Sequence, residues 1–158
     1  MHSFKLIGLA LLLCSGVLAS MILSRFEQKR YKQAEGFLAL LRHIRLQIDC
    51  FSLPVSRILA TLPTQISEMT AIPRAARDFG ELLEGTSLLL PEEMCELLTS
   101  FGRDLGGSYR EDQLRCCDYY ITRFAPHCER MRTELSRRTK LALLLPLALA
   151  LSLALLLI

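Results

Sequence analysis

Two dipeptides carry most of the reactive chemistry in this sequence. Cys116-Cys117 and His127-Cys128 supply thiols and an imidazole, the groups used for nucleophilic attack, redox exchange and soft-metal binding. Adjacent cysteines do not have the spacing of a zinc knuckle. Cys117 and Cys128 also fall on an apolar helical stripe, where a thiol packs as a small hydrophobe. Packing is therefore the expected role, and a metal- or thiol-dependent regulator or enzyme built on Cys116, Cys117, His127 and Cys128 is the alternative. Of the other histidines, His43 stands beside Arg42 on a helical pattern and is expected to be partly exposed. The acidic pairs Glu92-Glu93 and Glu111-Asp112 open helices, where the helix dipole accounts for them. There is no phosphate loop, no dinucleotide glycine pattern and no metal-binding histidine pair. The chain is expected not to be an enzyme and to need no cofactor or metal.

The element that positions these residues is a long C-terminal helix. Ser108 and Glu111 fit a capping box after Gly106-Gly107. Leu114, Cys117, Ile121, Phe124, Cys128, Met131 and Leu135 then recur at alternating spacings of three and four, the stripe of a packing helix. Pro126 removes one backbone hydrogen bond and predicts a kink near Thr122 to Pro126, without a stop. After Lys140, residues 141–158 are uncharged. At about 1.5 Å per residue they span roughly 27 Å, close to the hydrocarbon thickness of a bilayer.

A second uncharged run, 6–23, lies at the other end. Arg25, Lys29, Arg30 and Lys32 follow it, whereas Arg130, Arg132, Arg137, Arg138 and Lys140 precede the last run. Basic flanks are retained in the cytoplasm, so both runs predict the same topology: 1–23 an N-terminal anchor, 24–140 a cytoplasmic domain, 141–158 a C-terminal anchor, with both termini outside. Cleavage of a signal peptide after Ala19 is the competing reading of the first run. The six cysteines are expected to be reduced in that compartment. Small residues such as Gly16 and Ser20, four apart, would let another membrane helix approach closely.

Between the anchors every pattern is helical. Ala34, Phe37, Leu41, Ile44, Ile48 and Phe51 form a stripe that would pack antiparallel against the C-terminal one. Pro54 opens a short piece containing Val55, Ile58, Leu59 and Leu62. Ser67 to about Glu84 reads as helical with a break near Ile72, before Pro73. Gly85-Thr86-Ser87 is a turn, and Pro91 opens a helix that buries Met94, Leu97, Leu98, Phe101 and Leu105. The fold class is all-α: a cytoplasmic antiparallel bundle of about five or six helices between N- and C-terminal transmembrane helices. Residues 57–112 hold ten acidic and five basic groups, against two and six in 24–45 and three and seven in 113–140. This predicts a basic end near anionic lipid and an acidic far end suited to a basic partner.

Phe101-Gly102, Leu105-Gly106 and Gln113 together resemble the "FG…LG…(S)D…Q" stretch of the stage III sporulation protein AB family. Leu40-Leu41 through Ile48, then Phe51 and Pro54, resembles that family's first helix and following loop. Tyr109 stands where the family usually has aspartate, no tryptophan is present, and the last anchor has Leu and Ala where glycines are common. The resemblance implies a helical bundle similar to the cytoplasmic domain of type II secretion inner-membrane platform proteins. It further implies membership of a secretion-like channel complex between mother cell and forespore. In that complex the chain would sit in the mother-cell membrane engulfing the forespore and dock a cytoplasmic secretion-type ATPase and other channel subunits. The expected partners are thus membrane lipids, that ATPase and those subunits. A homo-oligomer is compatible with this picture, and no nucleic acid is expected. Phe101, Gly102, Leu105, Gly106 and Gln113 are the candidate partner-contact residues.

Overall fold

The computed structural model describes the backbone of residues 2–72, 76–106 and 109–157, and the side chains of 21–72, 76–106 and 109–138. Among the described residues there are six helices and no strand: α1 (His2–Phe51), α2 (Val55–Ala60), α3 (Thr64–Thr70), α4 (Phe79–Glu84), α5 (Glu92–Asp104) and α6 (Arg110–Leu157). The chain divides into two compact units, Met1–Gln28 with Arg132–Ile158, and Lys29–Met131.

In the first unit, the Arg138 guanidinium lies 3.5 Å from a Glu27 carboxylate oxygen. Met21, Ile22 and Leu23 are 57%, 70% and 57% exposed. Among the described residues no helix is long and apolar enough to cross a membrane. Apart from 21–23, the two runs expected to do so, 6–23 and 141–158, lie outside the residues whose side chains are described, as do Gly16 and Ser20.

The second unit is the bundle, and its first and last helical segments supply most of the core. Ala34, Phe37, Leu40, Leu41, Ile44 and Ile48 of α1 are almost fully buried, with Cys117, Tyr120, Phe124 and Cys128 of α6. The Cys128 thiol reaches the Ala34 carbonyl oxygen at 3.6 Å. Both expected stripes are therefore interior. Phe51 is a correction: it is 66% exposed. Ser52 adopts φ +50° and ends α1 there, so the next residues turn away before Phe51 can meet a neighbour. At this end α6 begins by capping α1. Arg110 Nη2 donates to the Asp49 carbonyl and, at 2.9 Å, to its carboxylate, and Nε donates to the Ile48 carbonyl at 3.3 Å. Arg45 pairs with Asp118 at 2.6 Å across the same two helices. The expected Ser108 cap lies outside the described residues, and the Tyr109 carbonyl accepts the first N–H groups of α6, from Asp112 and Gln113. α6 continues through Pro126 without ending.

Four short helices complete the bundle. The Pro54, Pro63 and Pro91 carbonyls accept the first N–H groups of α2, α3 and α5, so each proline sits one residue ahead of its helix. The expected break near Ile72 is real: α3 stops at Thr70, and Ala71 at φ 58° is left-handed. Pro73 itself lies outside the described residues. Asp78 caps α4 by accepting the Glu81 N–H at 2.8 Å, and Glu81 Oε2 accepts the Arg77 N–H at 2.8 Å. α3 crosses α1 at Gly36, where a methyl group would come within 2.8 Å of Met69 Cβ.

One buried polar side chain fastens this cover to α1. Gln33 is 4% exposed. Its Nε2 donates to the Thr70 carbonyl at 3.2 Å and the Ser87 carbonyl at 2.9 Å, and its Oε1 accepts the Leu89 N–H at 2.7 Å. Arg30 Nε adds a bond to the Leu89 carbonyl at 2.8 Å. The 86–90 segment has no helical or sheet ladder, and side chains of α1 satisfy its Ser87 carbonyl and its Leu89 N–H and carbonyl instead.

Candidate functional site

Cys116, Cys117, His127 and Cys128 all lie on α6. Cys117 and Cys128 are buried on the seam between α1 and α6. Burial pushes the Cys117 thiol up to about 12 and the Cys128 thiol up to about 11, since an apolar interior disfavours thiolate. Burial raises Cys116 and Cys95 as well. His127 is turned to another face, with Nδ1 3.6 Å from Glu93 Oε2. Among the described residues no group of three His, Cys, Asp or Glu side chains is placed to hold a metal. His43 is half-buried, and burial lowers its pKa. Its Nε2 is enclosed without a hydrogen-bond partner among the described residues.

The family-motif residues, by contrast, gather where α5 turns into α6. Phe101 is fully buried, with its ring 5.0 Å from Phe79 and 5.5 Å from Tyr120, both edge-on. Gly102 allows that packing: a methyl group there would stand 2.9 Å from the Phe79 ring. Leu105 ends α5 by donating its N–H to the Phe101 carbonyl at 2.9 Å. Gly106 then takes φ +114°, a conformation costly for any residue with a Cβ, and reverses the chain. Tyr120 closes the turn from α6, donating its hydroxyl to Asp104 Oδ2 at 2.5 Å. Burial first, and then that carboxylate, push the Tyr120 hydroxyl up to about 12.

Two open clefts flank the turn. One, of about 650 Å³, lies between Val55, Phe79, Leu83, Gly102, Leu105 and Gly106. The other, of about 450 Å³, is lined by Ile48, Pro54, Val55, Gly106, Arg110 and Gln113. Gly102, Leu105, Gly106 and Gln113 thus all face a cleft, whereas Phe101 is interior and acts through its packing. The rim of the larger cleft carries Arg77 and Arg103 with Asp78 and Glu84, a balanced set. The acidic excess of 57–112 is therefore not gathered on this rim, and Glu93 at the start of α5 stands beside the basic stretch of α6. Sequence reasoning missed Gln33, Asp104, Arg110 and Tyr120, whose roles depend on partners far along the chain.

No curated protein and no solved structure matches the chain. The description of the stage III sporulation protein AB family matches residues 77–158, which hold α4, α5, α6 and the turn between the last two. That match spans just over half of the sequence, and the chain therefore belongs to the stage III sporulation protein AB family, with a sporulation-related role.

Proposed function

We propose that this chain is a non-enzymatic platform subunit of a secretion-like channel between mother cell and forespore. Helices over 6–23 and 141–158 tether it to the mother-cell membrane, with the bundle in the cytoplasm and both termini outside. The observation that carries the tether is the exposure of Met21, Ile22 and Leu23. Consecutive helical residues point about 100° apart, so three together cover most of a helix circumference. A helix that is apolar all round belongs in lipid or in a core. Arg25, exposed just beyond, sits where an interfacial cation belongs. The α5–α6 turn with its two clefts is the surface that receives a cytoplasmic secretion-type ATPase and other channel subunits. The buried, protonated thiols favour this reading over a metal- or thiol-dependent enzyme.

Protease added outside sealed cells tests the topology. Epitope tags at the two ends should be digested, and a tag in the 86–90 segment should survive; digestion of the middle overturns the tether. Coexpression with the ATPase and pull-down tests the docking. Capture of the wild type and loss with Gly106→Arg are expected, and folded partners that fail to associate refute it.

A further inference from the structure

Glu93, Glu96, Leu97 and Ser100 of α5 line one wall of an open groove of about 440 Å³. Arg123, Pro126, His127 and Arg130 of α6 line the other. The two helices run antiparallel through a short turn, so the walls are parallel rows, one acidic and one basic. Glu93 reaches across to His127 at 3.6 Å. Among the described residues Glu96 and Arg130 form no ion pair, and the Arg123 guanidinium lies 4.9 Å over the Tyr119 ring. A surface bearing one row of each sign is self-complementary under a single operation. Rotation by 180° about an axis along the helices, lying in the groove mouth, sets each copy's acidic row on the other's basic row. Rotation about an axis across the helices sets like on like.

We propose that this groove is where two copies of the chain pair, as a parallel two-fold dimer. Leu97 and Pro126 supply its apolar contact, and Glu93, Glu96, Arg123 and Arg130 set its register. Both chains then leave the bundle at residue 131 in the same direction. Two copies tethered in one membrane require this, a point that rests on the proposed membrane topology, whereas the charge pattern does not. Confinement to a membrane would raise the effective concentration of such a contact.

The test uses the full chain, with light scattering in detergent and energy transfer between labelled copies in proteoliposomes. One variant, Glu93→Arg/Glu96→Arg, makes both rows basic; the other, Arg123→Glu/Arg130→Glu, makes both acidic. The wild type should dimerise, and each variant alone should self-associate at least about tenfold more weakly. An equimolar mixture of the two should regain the dimer. Circular dichroism checks that both are folded. A monomeric wild type in both settings, a dimer indifferent to either reversal, or folded variants that fail to pair on mixing overturns the proposal. Reversals that change only retention of a coexpressed ATPase also overturn it and give the groove to that partner. None of these results alters the protease-protection result, so the two readings fail separately.

Discussion

Gln33→Met isolates the contribution of one amide. Methionine approximates the shape of glutamine, so the core stays filled while three hydrogen bonds are lost: to the Thr70 carbonyl, the Ser87 carbonyl and the Leu89 N–H. A typical protein hydrogen bond contributes about 0.5–1.5 kcal/mol net, and a buried group left unpaired costs about 1–3 kcal/mol. Ser87 is exposed and Leu89 half-buried, so water can recover part of that loss, whereas Thr70 is fully buried. The expected destabilisation is about 2–3 kcal/mol, a large share of a typical margin of about 5–15 kcal/mol. Denaturant unfolding of the detergent-solubilised chain measures it as a lower midpoint. Hydrogen exchange adds a local readout, because the Leu89 amide should lose its protection while amides in the middle of α5 keep theirs relative to the global change. A loss below about 0.5 kcal/mol with Leu89 as protected as in the wild type would refute the assignment of Gln33 as the fastener of this segment. Gln33→Glu serves as a second probe: it keeps an acceptor for Leu89 but faces two carbonyls, and should not rescue.

Three further outcomes are expected. Gly102→Ala sets an overpacking cost of about 1–3 kcal/mol against the Phe79 ring beside a helix-propensity gain of about 1 kcal/mol, for a net loss of about 1 kcal/mol in thermal unfolding. A stabilised variant would mean the ring yields freely. Ala71→Gly should stabilise by up to about 1 kcal/mol, because glycine takes the left-handed cap of α3 without penalty; a lower melting temperature contradicts this. The thiols predict alkaline instability. Cys117 and Cys128 shift from 9.0 to about 12 and about 11 on folding, so above pH 9 the unfolded chain releases protons that the native chain keeps. Stability present below pH 9 should then fall by up to about 1.4 kcal/mol per pH unit per thiol until each native pKa is passed. Cys117→Ala/Cys128→Ala should flatten that slope between pH 9 and 11, and an unchanged slope argues against thiol burial as its cause.

The two seams were legible because a helix that packs along one side repeats its apolar residues at three and four. Every seam residue from Leu114 to Met131 is buried or half-buried as that spacing requires. Phe51 misled because periodicity does not register where a chain leaves the helix, and Ser52 at φ +50° ends it one residue later. Gln33, Thr70 and Thr86 were illegible for another reason. Each is polar and buried: Gln33 is satisfied by backbone groups far along the chain, whose position depends on the finished fold, and Thr70 and Thr86 by carbonyls four residues back, which hide their hydroxyls without a periodic signal. At the α5–α6 turn, the motif could be read but not divided into roles. Only the packing of the Phe101 ring against Phe79 and Tyr120 separates Phe101, which is interior, from Gly102, Leu105, Gly106 and Gln113, which face the clefts. Charge sorting along the sequence also does not say which groups become neighbours: the antiparallel hairpin brings Glu93 at the start of α5 beside His127 in the middle of α6.

The Cys128–Ala34 contact joins residues 94 apart, and Arg45–Asp118 joins residues 73 apart. While the chain is still being made, part of the greasy side of α1 therefore stays uncovered until Cys117 to Cys128 have emerged from the ribosome. Closing the core must wait for that stretch of α6, which leaves nascent α1 a natural client for a chaperone or for the insertion machinery.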